Sequence, residues 1–203
     1  MKRLVFATNN QHKLEEVRTL LREEKPELAD QIQILSLSDI GCHEDIPETG
    51  MTFSDNALQK AEYVKVHYDV DCFADDSGLE VRALGMEPGV FSARYANDEG
   101  YRNNSDANTE KLLRKMQNMK ERQAQFRTVI CLLMGSVREE FEGVCRGEIT
   151  RTPSGSKGFG YDPVFIPEGH NVTFAEMAMV DKNLISHRGK AFRALLDYLE
   201  QQQ

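Results

Sequence analysis

The stretch from Gln125 to Gly135 constrains the fold more than any other. It holds the longest purely apolar run of the chain, Val129-Ile-Cys-Leu-Leu-Met134. That is far short of the roughly 20 residues needed to cross a bilayer, and it is rich in strand formers. It predicts a central strand, so the chain must build a sheet around it. Further strands are predicted at Arg3–Ala7, at Val70–Ala74, and at Phe141–Ile149, where side chains alternate in character. Between them lie helical patterns. Leu14, Val17, Leu20 and Leu21 recur at helical spacing in Lys13–Leu21. Thr52 and Asp55 form a capping-box pattern ahead of Phe53, Ala57, Ala61 and Val64. Thr109–Lys120 and Ser186–Glu200 read as two more helices, and Thr173-Phe-Ala-Glu176 as a second capping box. Helices between strands make this α/β. With no repeat and no long linker, residues 1–203 are read as a single domain, in which Leu84–Ala107 is a long irregular connection.

Charge and cysteine content narrow the function. Lys plus Arg number 25 against 33 Asp plus Glu, a formal charge of −8. That argues against a nucleic-acid clamp, whose affinity comes from a basic face. A small anion remains admissible, because a few cations converging on one spot override the net sign. Cys42, Cys72, Cys131 and Cys145 show no C-x-x-C spacing, and the five histidines do not cluster with them. They read as reduced thiols of a cytoplasmic protein, neither zinc ligands nor disulfides. The opening Met1–Ala7 carries too few apolar residues for a signal peptide.

Five segments carry candidate chemistry. Thr8-Asn-Asn-Gln-His-Lys13 joins a strand to a helix, where backbone N–H groups and the helix dipole suit a phosphate and Lys13 adds a formal charge. It lacks the glycines of a P-loop, and an ordinary polar turn is the competing reading. Asp75-Asp-Ser-Gly78 ends an apolar strand, where open α/β sheets bind ligands. Carboxylate oxygens suit Mg²⁺, although Asp-Ser-Gly is also good turn chemistry. Adjacent strand residues face opposite ways, so one aspartate could reach a ligand while the other anchors the loop. Glu44-Asp-Ile-Pro-Glu-Thr-Gly50 crowds acids ahead of the helix that carries Asn56 and Lys60 on one face, or is simply a solvated acidic loop. Gly155-Ser-Lys-Gly-Phe-Gly-Tyr-Asp-Pro163 offers Phe159 and Tyr161 as ring faces and Asp162 as an acceptor, unless the aromatics belong to the core. Lys182-Asn-Leu-Ile-Ser-His-Arg188 gathers cations that could grip a base or phosphates, or forms a solvated helix start. Together these are the parts of a Mg²⁺–nucleotide site.

The motifs are collinear over nearly the whole chain. They run through Ala7-Thr-Asn-Asn-x-x-Lys13, Glu48-Thr-Gly50, Asp55-Asn-Ala57 with Lys60-Ala61, and Ala74-Asp-Asp-Ser-Gly-Leu79. Pro88-Gly-Val-Phe-Ser-Ala-Arg-Tyr95, Gly158-Phe-Gly-Tyr-Asp-Pro163 and Ser186-His-Arg-Gly189 follow. In this series the chain resembles the inosine triphosphate pyrophosphatase family, departing from it at Asn9, where many members have Gly. The resemblance implies an elongated mixed sheet flanked by helices, two lobes with the active site in a cleft between them, and a homodimer. It implies Mg²⁺-dependent hydrolysis of ITP, dITP or XTP to the monophosphate and pyrophosphate, cleansing the nucleotide pool, with no nucleic-acid or membrane partner. Carried over by position, Thr8, Asn9, Asn10, Gln11, His12 and Lys13 would hold the triphosphate, with Lys60 as a further phosphate cation. Glu48 and Asp76 would bind Mg²⁺, Asp76 would take the proton of the attacking water, and Ser77 would touch substrate. Phe159, Gly160, Tyr161, Asp162, Lys182, His187 and Arg188 would grip purine and phosphate. The rival expectations are a nucleotide pyrophosphatase with another base preference and a non-catalytic nucleotide-binding regulator.

Overall fold

The computed structural model describes residues 1–202. Strand β1 (Lys2–Phe6) leads into helix α1 (Gln11–Glu24). The Asn10 side chain caps that helix by accepting from the Lys13 N–H. Pro26 opens the short α2 (Pro26–Ala29), and β2 (Ile32–Leu35) follows. Helix α3 (Phe53–Tyr68) starts at the expected capping residue, with Thr52 Oγ1 accepting from Asp55 N at 3.1 Å. Then come β3 (Cys72–Val81), α4 (Ser105–Lys115), β4 (Gln123–Met134), β5 (Val137–Ile149), β6 (Phe165–Pro167), α5 (Met179–Ile185) and α6 (His187–Gln201). The strands lie in the order β2-β1-β3-β4-β5-β6. β1 runs parallel to both β2 and β3, β5 runs antiparallel to β6, and β4 turns into β5 at Gly135, whose φ of 57° a two-residue reversal favours. The sheet is mixed and the class α/β, as expected.

Four expectations need correction. β3 does not stop at Asp75-Asp-Ser-Gly78 but runs on to Val81, so both aspartates lie within a strand and not in a solvated turn. Thr173–Glu176 is a turn, not a helix start: Thr173 N–H donates to the Glu176 carboxylate, but the next helix begins only at Met179. Helix α4 begins four residues early because Asn104, not Thr109, opens it, its side chain accepting from Asp106 N and Ala107 N. The Leu84–Ala107 connection is not featureless loop: two 3₁₀ turns, Gly89–Arg94 and Asn97–Glu99, lie within it, a third ends at Leu84, and α4 already begins at Ser105.

The chain packs as two compact units. The first comprises Met1–Asp76, Thr128–Gly143 and the segment from Gly189 onward; the second comprises Ser77–Arg127 and Val144–Arg188. In the first unit the sheet is covered on both faces, and strand alternation sorts the side chains. Leu4, Phe6, Phe73, Ile130 and Leu132 meet α1 and α6, where Phe6, Phe73 and Phe192 form an aromatic trio. Val5, Ala7, Cys72, Ala74 and Cys131 point the other way, onto Ala57, Ala61 and Val64 of α3. The second unit has its own core around Leu79, Leu112, Phe126, Phe165 and Phe174.

Candidate active site

In the first unit the alternation of β3 decides which helix meets which aspartate. Asp75 follows Phe73 onto the face of α1, and Asp76 follows Ala74 onto the face of α3. Lys13, in the first turn of α1, donates to Asp75 Oδ2 at 2.7 Å, and the Asp75 side chain is fully buried. β1 ends beside Phe73, so Asp75 and Asp76 lie just beyond the carboxyl end of the parallel pairing, where Thr8 begins its loop.

On the α3 face, Lys60 donates to the Asp75 backbone carbonyl at 2.7 Å and to Glu48 Oε1. Burial works against its charge, but Asp75, Glu48 and Asp76 outweigh that and push its pKa up, so the ammonium persists in a nearly buried place. Asp76 Oδ2 accepts from Asn56 Nδ2 at 2.9 Å. Burial is the main influence raising the Asp76 pKa; Lys60 and Asn56 favour the ionised form, and the nearby Glu48 charge opposes it. Glu48 is brought alongside by the Thr49–Gly50 segment, where Gly50 N–H donates to Asn56 Oδ1 at 2.8 Å.

The Thr8–Lys13 loop is polar and open. Asn10 N donates to Thr8 Oγ1, and Asn9 Nδ2 donates to Asp45 Oδ1 at 3.3 Å. Asn9 does not adopt a positive φ, so its backbone does not call for the glycine usual at this place. Gln11 and His12 are exposed on the first turn of α1.

The second unit gathers the other sequence candidates. Asp162 is buried and accepts through Oδ2 from Phe159 N at 2.9 Å and Lys182 Nζ at 2.6 Å. It therefore braces the Gly158–Asp162 turn. Lys182 Nζ and the Arg188 guanidinium each lie 5.4 Å from the Phe159 ring centre, and Phe159 is 47 % exposed. His187, at the start of α6, stacks on Phe126 with centroids 4.7 Å apart. Tyr161 is a core residue: its ring is buried, its hydroxyl donates to the Ser92 carbonyl at 2.8 Å, and burial raises its pKa. Its ring is not an open stacking face. Ser77 follows Asp76 on β3 and is half-buried.

The candidates therefore fall into two groups, Thr8 to Lys13 with Glu48, Lys60 and Asp76 in one unit, and Ser77, Phe159 to Asp162, Lys182, His187 and Arg188 in the other. Asn56 and Asp75 were outside the expected set of site residues, as was Phe126. Asn56 had a legible signal, a helical turn's spacing from Lys60, and Asp75 stood beside Asp76 in the Asp-Asp-Ser-Gly segment; Phe126 becomes visible only once the packing is known.

Such a molecule belongs to the class of α/β proteins that concentrate buried carboxylates and lysines at the end of a parallel strand pair. The chain is a member of the Ham1 family, whose model matches residues 4–198. It is 51% identical over 197 residues to the dITP/XTP pyrophosphatase of Christiangramia forsetii, covering 97% of this chain and 98% of that one. The dITP/XTP pyrophosphatase of Porphyromonas gingivalis is also 51% identical, over 200 residues and 98% of both chains. The solved structure of the Staphylococcus aureus Ham1 protein superposes with a TM-score of 0.88 at 37% identity over the full length of both. The resemblance read from the motifs is borne out.

Proposed function

We propose that this chain is a Mg²⁺-dependent pyrophosphatase of deaminated purine nucleoside triphosphates, converting ITP, dITP or XTP and water to the monophosphate and pyrophosphate. The names of its relatives support the activity. The observation that carries the reading is Asp76, a carboxylate nearly buried on β3 beside Lys60, Asn56 and Glu48.

The donor chemistry fits magnesium. Glu48 and Asp76 are near enough for one charge to oppose ionisation of the other, and a pair of carboxylate oxygens is what this hard cation takes from a protein, the remainder being water and phosphate. When bound, the ion would neutralise phosphate charge and acidify a coordinated water. The chain's own residues do the rest. Lys13 is pre-positioned at the strand edge by Asp75, and Lys60 by Glu48 and the Asp75 carbonyl, so two ammonium groups are set before a triphosphate arrives. Charges held in place need no reorganisation as the pyrophosphate leaves. The loop Thr8-Asn9-Asn10-Gln11-His12 supplies amide and hydroxyl donors at a helix N-terminus for the phosphates. Asp76 takes the proton of the water that attacks the α-phosphorus, and Ser77 touches the substrate beside it.

In the second unit, Phe159 offers its ring to a purine, while Lys182, His187 and Arg188 with the Phe159–Gly160–Tyr161–Asp162 backbone would supply donors for O6. An adenine amino group there would leave such donors unpaired, which is how a hydrogen-bonding site rejects an analogue. The reading includes a single two-lobed domain and a homodimeric, cytoplasmic enzyme acting on free nucleotides. The four cysteines, all buried free thiols, are in keeping with a reducing compartment. Among the described residues no helix is long and apolar enough to cross a membrane.

The experiment is a substrate panel. Purified protein with MgCl₂ should turn ITP into IMP and pyrophosphate, leave ATP and GTP nearly untouched, and stop in EDTA. Equal consumption of ATP would remove the base selectivity, and tight ITP binding without turnover would favour a regulator.

A further inference from the structure

Asn56 is a polar residue of the first unit that stability alone does not explain. It is fully buried, and it sits one turn inside α3, where asparagine is a poor helix former. Its backbone N–H is already satisfied by Thr52 O at 3.1 Å, so the side chain is not needed for the helix. Instead the carboxamide spans two segments. Gly50 N–H, which can only donate, ends 2.8 Å from Oδ1 and thereby fixes the orientation of the amide. Nδ2 must then face Asp76 Oδ2, which it meets at 2.9 Å as a donor.

Gly50 lies two residues after Glu48, and its closeness to Asn56 is built in. A Cβ at Gly50 would stand 2.8 Å from Asn56 Oδ1 and 2.5 Å from Asp55 Cβ. One amide thus ties the segment carrying Glu48 to the carboxylate of Asp76. We propose that Asn56 is a positioning residue for the hydrolysis, holding Asp76 Oδ2 by a directed N–H donor and locking the Glu48 segment to it. This deepens the reading of Asp76 as the proton acceptor and rests on it. Residues that orient a functional carboxylate in this way commonly govern activity by about 10–100-fold.

The test compares wild type with Asn56→Asp and Asn56→Ala. The aspartate keeps an acceptor for Gly50 N–H and loses the donor to Asp76; the alanine loses both. Thermal melts establish that each variant is folded at the assay temperature, calorimetry in EDTA measures ITP binding without metal or turnover, and steady-state kinetics with MgCl₂ give kcat. The expected result is ITP binding in EDTA within about twofold of wild type, with kcat lowered about 10–100-fold in a folded variant. A folded variant with wild-type kcat would overturn the proposal. So would a loss of ITP binding in EDTA that matches the loss of kcat, or failure of both variants to fold, since either assigns Asn56 to general architecture. A wild type that does not hydrolyse ITP would instead overturn the parent reading.

Discussion

Asp75 and Asp76 are chemically identical neighbours, and β3 separates them by 180° of side-chain direction. Asp75 is enclosed and paired with Lys13, while Asp76 is tied through Asn56 toward Glu48. Their substitutions should therefore differ in kind. Asp76→Asn removes the proposed proton acceptor but little volume: kcat for ITP should fall at least about 100-fold with the melting temperature nearly unchanged, in line with losing a general base. Wild-type kcat in that variant would remove Asp76 from the chemistry. Lys13→Ala strips the cation from a fully buried carboxylate, so it should raise KM for ITP and also lower stability by about 3 kcal/mol in urea titrations. An unchanged KM would take Lys13 out of phosphate binding. The pairings behind these two predictions were not legible in the sequence. The cations and carboxylates could be named, but which lysine meets which aspartate depends on α1 and α3 lying on opposite faces of one strand.

At the scale of elements, the Gly158–Asp162 turn is held by one carboxylate oxygen. Gly158 has φ +77°, and a Cβ there would come within 2.1 Å of Asp162 Oδ2. That oxygen cannot retreat freely, because Phe159 N and Lys182 Nζ both bind it. Gly158→Ala should cost at least about 1–3 kcal/mol from the left-handed backbone alone, and should weaken ITP binding through Phe159. Unaltered melting and affinity would show the turn to be looser than described. Local signals served well where they agreed with packing: the Thr52 cap, the apolar stripe of α1 and the central β4 were all readable. They misled where tertiary partners overruled them. Asp-Asp-Ser-Gly is turn chemistry, yet it stays in the strand because Lys13 and Asn56 engage its carboxylates from either side. Thr173–Glu176 makes the carboxylate-to-backbone bond of a capping box, but Glu176 also accepts from Ser154 Oγ and Thr173 Oγ1 donates to Ser154 O, so the motif staples a loop and no helix follows. β2, at four residues, is too short for its sequence to show a period.

At the scale of the molecule, a chain of net charge −8 reads as a handler of polyanions because its cations are few and placed. Lys13 and Lys60 stand in one compact unit, and Lys182 and Arg188 in the other. In the proposed reading the first set meets the phosphates and the second the base. The central claim is that water adds to the α-phosphorus of ITP. Hydrolysis of ITP in H₂¹⁸O, followed by mass spectrometry of both products, tests it directly. The account predicts one solvent oxygen in IMP and none in pyrophosphate. Label in pyrophosphate, or release of orthophosphate, would place the attack on another phosphorus and contradict it.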